Sequence, residues 1–263
     1  MRPTRLWLVG VFSFCFAAFT IAQTTSSSSV QAVSTLQNAY KALVGKTTVN
    51  NVTLTGTVER IAGGDDETGS VTYRAVVGSN RLDLSFSSGT LSEIRSTTVT
   101  GVSGSWIDAN SVSHPMAGHN VMTDVGWFPL FAIGGITASP NSVLSYVGPE
   151  THDGLSVIHF MAWQQFPALS GNAATLPQHL SQMDFYMDPT TLLPMAIAFN
   201  IHPDNNALLD IPTEIHYSNY QTVSGVLIPF HVQKFINNTL TLDLQFQNAS
   251  LNTGITAAQI SAQ

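Results

Sequence analysis

Cysteine is nearly absent from this sequence: Cys15 is the only one among 263 residues. It lies inside an apolar N-terminal stretch that has the features of an export signal, so removal of that stretch leaves no thiol. A chain without thiols can form neither disulfide bonds nor cysteine-metal sites. An exported protein of this kind must be stabilised by its core, and the chain is long enough to bury a large one.

Charge is also scarce, because Asp, Glu, Lys and Arg together make up only 10% of the residues, against about 25% in ordinary soluble proteins. The 9 Lys and Arg residues face 16 Asp and Glu residues, for a formal net charge of −7. No basic stripe is present, which argues against nucleic acid as a partner. Serine, threonine, asparagine and glutamine supply the polar surface instead, a composition typical of β-rich proteins outside the cytoplasm.

The N-terminus has the three parts of an export signal. Arg2 and Arg5 give a positive start, residues 6–19 are apolar, and Thr20 and Ala22 place small residues at positions −3 and −1 of a cleavage site. The apolar run is shorter than the about 20 residues of a membrane-spanning helix. We therefore predict a signal peptide cleaved after Ala22, a periplasmic or secreted location, and no stable transmembrane segment after cleavage.

A Ser-rich leader, residues 23–29, precedes the one clear helix signal. Apolar residues recur at three- and four-residue steps through residues 30–44, Ser28 or Ser29 can cap the start, and Gly45 can end the helix. We find no internal repeat, no Pro-rich linker and no break in composition. A single domain over residues 30–263 is the simplest interpretation.

From residue 49 onward the apolar period changes to two. The clearest example is residues 240–247, where apolar and polar side chains alternate without a break. Such alternation is typical of antiparallel strands with one buried face and one wet face. Residues 155–163 are apolar on both faces and are expected to be covered on both sides, while residues 165–180 are interpreted as a loop.

Residues 117–135 lie between strands and carry several large apolar side chains, among them Trp127, Phe128 and Phe131. The first part of this segment has helical periodicity, and Pro129 is expected to kink or end that helix. Glycines flank the segment, which makes it the part of the molecule best suited to move. The segment is therefore predicted to be a helical lid.

No catalytic or metal motif is found in the sequence. The pairs His114/His119 and His216/His231 lack the third and fourth ligands that a zinc site requires. The nearest approach to a nucleophile elbow, residues 101–105, lacks the final glycine. We therefore predict no metal, no cofactor and no enzymatic activity, and interpret the histidines as ordinary surface or core residues.

The positive feature is a set of large apolar side chains that suit an adaptable ligand cavity. The same residues could equally fill an ordinary core, because aromatic side chains dominate protein interiors. The candidate cavity residues are Trp106, Trp127, Phe128, Phe131, Met161, Trp163 and Phe185.

Two late passages resemble the periplasmic outer-membrane lipoprotein carriers, the LolA/LolB-like superfamily. Residues 183–195 resemble that family's strand–turn–strand passage, in which an aspartate-led turn precedes a proline-marked strand. Residues 225–235, with the alternating strand that follows them, resemble its closing hairpin. The order of one amphipathic helix, meandering strands and a helical interruption is also similar, and the likeness spans about residues 30–251.

The resemblance implies a mainly β fold with few helices, in which a curved antiparallel sheet forms an incomplete β-barrel. The N-terminal helix and the mid-chain helical lid would close it. Carriers of this type hold acyl chains in the hollow and lock the lid with an arginine. Nothing in the sequence shows which of Arg60, Arg74, Arg81 and Arg95 has that role.

The leading hypothesis is an exported, non-enzymatic protein that binds an apolar small molecule or lipid in the hollow, with envelope lipid or lipoprotein transport as its role. The alternative is an envelope structural or protein-interaction domain with a packed core, which binds envelope proteins through a sheet edge or a polar face. An enzyme comes third, because a hydrolase would need His, Asp and Ser to converge through folding alone.

Overall fold

The computed structural model describes residues 27–98, 101–123 and 126–261. The predicted signal peptide, its cleavage site after Ala22 and Cys15 lie outside these residues, so the export signal stays a prediction. Within the described residues, no helix combines the length and apolar character needed to cross a membrane.

The first helix, α1 (Val30–Val44), has the bounds that the apolar spacing predicts. The Ser29 hydroxyl caps it by accepting a hydrogen bond from the Ala32 backbone N–H. It ends at Gly45, whose φ of 58° is favourable for glycine. A Cβ at Gly45 would lie 2.8 Å from the Gly225 carbonyl oxygen, so this position also needs glycine for close packing.

Thirteen strands and three further α-helices follow in the described residues. The strands of the first half are β1 (Asn51–Arg60), β2 (Glu67–Val76), β3 (Ser79–Phe86), β4 (Gly89–Thr98), β5 (Gly101–Ile107) and β6 (Ser113–Pro115). Those of the second half are β7 (Ser142–His152), β8 (Leu155–Gln164), β9 (Met183–Met187), β10 (Pro194–Ile201), β11 (Ile211–Val223), β12 (Val226–Ile236) and β13 (Thr239–Leu251). The helices are α2 (Pro129–Ala138), α3 (Asn172–Leu180) and α4 (Ala257–Ser261), and a 3-10 helix covers Gly118–Val121.

All described strands form one antiparallel sheet in the order β6-β5-β4-β3-β2-β1-β13-β12-β11-β10-β9-β8-β7. It consists of two meanders, β1–β6 and β7–β13, joined where β1 pairs with β13. The two edge strands, β6 and β7, are not paired with each other, so the sheet does not close into a barrel. The chain passes from one edge to the other through the segment that contains the 3-10 helix and α2.

The sheet is strongly curved. Tyr73 of β2 and Met183 of β9 are six strands apart, which is roughly 29 Å in a flat sheet. Both nevertheless line one cavity of about 450 Å³. The predicted fold class, a curved antiparallel half-barrel with few helices, is therefore confirmed.

The alternating pattern places apolar side chains on the inner face. Leu244 and Phe246 are buried, whereas Asp243 and Gln245 point outward and hydrogen-bond to each other. Helices α1 and α2 pack together over this inner face and complete the core. Helix α4 lies on the outer face of β2–β4, where Ile260 is fully buried.

Two local predictions are wrong. Pro129 begins α2 at its first position instead of ending a helix, because its missing N–H would be unpaired there in any case. Residues 172–180 form α3 instead of a loop. Only Leu180 of that helix is buried, and Pro177 lies inside it, so the sequence has neither an apolar stripe nor a clean helical run to reveal it.

Strand β8 agrees with its predicted double coverage in its central part. Phe160 and Ala162 on the inner face and Val157 and His159 on the outer face are all buried. The start of the strand is different, because Leu155 is 54% exposed.

Candidate functional site

A cavity of about 450 Å³ lies between the inner face of β2–β5, helix α2, the 121–123 segment and the ends of β8 and β9. Most of the wall is apolar, with Tyr73, Val121, Met122, Phe131 and Ile136 among its residues. Of the described lining residues, Arg95 alone carries a charge at neutral pH. The volume lies within the range of small-molecule sites, about 300–1,000 Å³.

The structure separates the predicted cavity residues into groups. Phe131 of α2 and Trp163 of β8 line the cavity. Trp127, Phe128 and Phe185 are at most 2% exposed and lie in the packed core beside it.

The other two candidates lie away from the cavity. Met161 is on the outer face of β8, where its sulfur is 3.7 Å from the Gln182 amide nitrogen. Trp106 lies near the β5–β6 edge of the sheet, where it is 43% exposed and stacks on His114 with ring centroids 4.0 Å apart.

Arg95 connects the sheet to the lid. One terminal guanidinium nitrogen, Nη1, donates to the backbone carbonyls of Asn120 and Thr123, at 2.9 Å each. Its Nε donates to the Glu93 carboxylate at 2.8 Å. By contrast, Arg60 and Arg74 pair with carboxylates of the neighbouring strand, and Arg81 pairs with Asp83 of its own strand. Among the four arginines considered from the sequence, Arg95 is therefore the one that holds the lid segment.

A second cation, Lys234, lies near this arginine, and its ammonium is 5.6 Å from the centroid of the Trp127 ring. Burial acts to raise the pKa of Glu93, but the positive charges of Arg95 and Lys234 outweigh it and hold the pKa below its ordinary value. Burial lowers the pKa of Lys234 more than the Glu93 carboxylate raises it. Arg95, Lys234 and Glu93 therefore form a charged group beside the cavity wall, in which the Glu93 carboxylate is ionised.

Asn80 adds a polar acceptor to the same wall. It is the cross-strand partner of Arg95, and both residues line the cavity. The Asn80 side-chain oxygen is buried, with no hydrogen-bond partner within the described protein. A buried acceptor without a partner is costly, so a ligand that donates a hydrogen bond here would be favoured.

The lid segment is fastened to the second half of the sheet as well. The Asn120 side chain donates to the His202 carbonyl at 2.7 Å and accepts from the His202 N–H at 2.9 Å. Further along, the Tyr217 hydroxyl donates to the Gly126 carbonyl at 2.6 Å. The segment therefore bridges the two halves of the sheet through backbone contacts as well as apolar packing.

Sequence reasoning did not identify Asn80, Glu93 or the role of Arg95. The sequence did contain a signal for this group. In β4, Glu93 and Arg95 are two and four residues after Leu91, so strand alternation places all three side chains on the inner face. Charged residues at inward positions of a strand are rare unless they are paired, and such a pattern marks a buried polar group.

No protein-family model and no curated protein matches this sequence. Solved structures with the same fold are found at very low sequence identity. A domain named for outer membrane lipoprotein sorting, from Vibrio parahaemolyticus, superposes with a TM-score of 0.54 at 9% identity, covering 88% of this chain and 96% of that one.

Two further structures agree. A DUF1329 family protein from Desulfovibrio piger gives a TM-score of 0.57 at 10% identity and covers 88% of this chain and 97% of its own. A LolA superfamily protein from Nitrosomonas europaea gives 0.54 at 10% identity and covers 89% and 99%. The fold is thus the one found in the LolA superfamily, and the resemblance predicted from the sequence is confirmed at the level of the fold.

Proposed function

We propose that this chain is an exported, non-enzymatic protein that binds a lipid or other acyl-chain molecule in the cavity. The observation that carries the proposal is the cavity itself, about 450 Å³ in volume and mostly apolar, with Asn80 and Arg95 on one wall. The acyl chain would lie along the apolar wall, and the polar end of the ligand would meet Asn80 and Arg95.

The energetics suit such a ligand. Each buried methylene contributes about 0.8 kcal/mol, so a chain of several methylenes binds without any covalent or metal chemistry. The lid segment over the cavity, with its Arg95 contacts, would be released for loading. The names of the fold relatives, which include lipoprotein sorting, support an envelope role in lipid or lipoprotein transport.

The first experiment is mass spectrometry of an organic extract from protein purified out of its native exported compartment, compared with a mock purification. We expect about one lipid per chain. An empty extract together with no binding of an apolar fluorescent dye would refute the proposal and favour the packed structural or protein-interaction domain.

Two neighbouring phenylalanines provide a matched test. Phe131 lines the cavity. Phe128 is only 1% exposed, and its ring packs against the Phe131 ring with centroids 5.1 Å apart. Phe131→Ala is expected to weaken dye or fatty-acid binding about tenfold, since a Phe side chain contributes about 1.5 kcal/mol or more on burial. Phe128→Ala is expected mainly to lower the free energy of unfolding, by about 3–5 kcal/mol.

A variant that fills part of the cavity tests ligand binding without removing a packed side chain. Gly135 lines the cavity, and a Cβ there would meet no atom within 4 Å. Gly135→Leu should therefore fold and occupy part of the cavity, and it should weaken binding while Gly135→Ala leaves binding nearly unchanged. If Gly135→Leu binds as tightly as the parent protein, the ligand does not use this cavity.

A further inference from the structure

Four side chains that can bind metal meet on the outer face of the sheet, away from the cavity. They are His152 at the end of β7, Asp153 in the β7–β8 turn, and Glu214 and His216 on β11. One ligand atom of each residue lies within 4.8 Å of all the others.

The distances suit one small cation. Glu214 Oε2 lies 3.2 Å from His152 Nε2 and 2.7 Å from His216 Nε2. Asp153 Oδ2 lies 3.8 Å and 3.6 Å from the same two nitrogens. In a tetrahedral zinc site with bonds of about 2.0–2.1 Å, neighbouring donor atoms are about 3.3 Å apart. The four measured distances are within about 0.6 Å of this value, and the other two donor pairs are within 4.8 Å.

The fold holds these residues in place from two sides. Glu214 and His216 flank the buried Ile215, so strand alternation places both on the outer face. The His152 ring stacks on Tyr186 of β9, with centroids 3.7 Å apart and an angle of 7° between the planes. Between Tyr186 and His216 in the ladder lies Ala196, which is only 3% exposed although it faces outward. The tip of the β7–β8 hairpin thus lies over the outer face and reaches β11.

The charge of this region favours a cation. Ten of the 16 Asp and Glu residues come after Arg95 in the chain, where Lys234 is the only Lys or Arg. In the described part of the chain, Asp153 and Glu214 form ion pairs with histidines alone. The neighbouring His159 lies between two more carboxylates, 2.8 Å from Asp184 and 3.0 Å from Glu150.

We propose that His152, Asp153, Glu214 and His216 bind a divalent transition-metal ion of the zinc type. Two imidazole nitrogens and two carboxylate oxygens are a donor set for zinc, whereas Mg²⁺ and Ca²⁺ prefer oxygen donors throughout. With four protein donors the ion has a structural role: it ties the β7–β8 turn to β11. The site is independent of the apolar cavity.

A second cluster serves as an internal comparison. His179 and His202 both contact Asp210, at 2.9 Å and 3.0 Å. This cluster has three donors instead of four, and His179 and Asp210 are exposed. Variants of this cluster therefore test whether any bound metal ion lies there instead of at the four-residue cluster.

The test is calorimetric titration of the purified exported chain, produced without a histidine tag and treated with a chelator, with ZnCl₂ and separately with MgCl₂. We expect saturation at about one zinc ion per chain and no heat from Mg²⁺. Zinc at about 100 times its Kd should raise Tm by roughly 5–10 °C. Absence of saturable zinc binding would overturn the proposal.

Variants locate the site. Asp153→Asn is the safest, because φ at Asp153 is 49°, a conformation that Asn tolerates, so the turn should be kept. Asp153→Asn, His152→Gln and His216→Gln should each weaken zinc binding at least about tenfold. His231→Gln changes an outer-face histidine that contacts one carboxylate, Asp243, and the Ser218 hydroxyl, and it should bind zinc like the parent. Unchanged binding in Asp153→Asn and His216→Gln, or loss of binding in His179→Gln, would place the metal elsewhere and refute the assignment.

Discussion

The two halves of the sheet neutralise their carboxylates in different ways. Eight of the nine Lys and Arg residues lie at or before Arg95, whereas all eight histidines lie after it. In the first half, Arg74 and Arg81 both bind Asp83 on the outer face, at 2.6 Å and 2.7 Å. In the second half, carboxylates on the outer face pair instead with histidines, among them His152, His159 and His216.

The difference has a chemical consequence. A guanidinium stays protonated at any pH a protein tolerates, so the arginine ion pairs of the first half keep both charges at any pH above the pKa of their carboxylates. An imidazole changes its charge near neutral pH and can exchange its proton for a metal ion. The cations on the outer face of the first half therefore keep their charge, whereas the histidines on the outer face of the second half can lose a proton or bind a metal ion.

The largest expected effect concerns the inward-facing arginine. Arg95→Gln removes the charge that pairs with the partly buried Glu93 and weakens the contacts to the Asn120 and Thr123 carbonyls. We expect the free energy of unfolding to fall by about 3–5 kcal/mol, because the Glu93 carboxylate loses its direct partner and two backbone carbonyls lose a charged donor. Hydrogen exchange in residues 118–123 should also become faster. Denaturant unfolding and exchange mass spectrometry measure the two effects.

The matched control is Arg74→Gln, at an outward position where the side chain is 34% exposed. It should cost no more than about 1 kcal/mol. Equal losses in the two variants would mean that the inward and outward arginines of this half do not differ.

An intermediate effect is expected at the outer face of the first half. Burial acts to raise the pKa of Asp83, but hydrogen bonds from Ser92, Arg81 and Arg74 outweigh it and hold the pKa below its ordinary value. A depressed pKa means that the stabilisation is present above the unfolded-state pKa and is lost as the pH falls through the folded-state pKa. Asp83→Asn should therefore cost about 1.5–3 kcal/mol near pH 7.

The cost of Asp83→Asn should shrink in strong acid, which urea unfolding over a pH series would reveal. Asp65→Asn, at the exposed β1–β2 turn, should have no effect at any pH. A cost for Asp83→Asn that stays constant down to the lowest pH would contradict the ion-pair interpretation.

The smallest effect, with the opposite pH dependence, is expected in the second half. Burial acts to lower the pKa of His159, but the hydrogen bonds and charges of Asp184 and Glu150 outweigh it and raise the pKa above its ordinary value of 6.5. A raised pKa means that the stabilisation is complete below the unfolded-state pKa and is lost as the pH rises through the folded-state pKa.

His159→Gln should consequently destabilise the protein by about 1 kcal/mol at about pH 5.5 and by much less at about pH 9. Thermal unfolding in chelator-treated protein measures this without interference from metal. A larger loss at high pH than at low pH would show that His159 acts through packing and not through its charge.

Much of the fold could be predicted from local patterns. Alternation assigned the inner and outer faces of the strands, since the pleat of a strand sends successive side chains to opposite sides. The spacing of apolar residues and the Ser29 and Gly45 caps gave α1 its observed bounds. The cavity could not be predicted in this way: Phe128 and Phe131 are three residues apart in equally apolar surroundings, yet one packs in the core and the other lines the cavity.

What the sequence determined by itself is the class of fold: the helix, the alternating strands and the family resemblance all follow from short-range patterns. Tertiary structure alone decided that the sheet stays open, that Arg95 of the four arginines holds the lid, and that His152 meets Glu214 across 62 positions of the chain. The physical reason is that side-chain direction is a local property of the backbone. Curvature, cavity volume and contacts between distant strands depend instead on how all the side chains pack together.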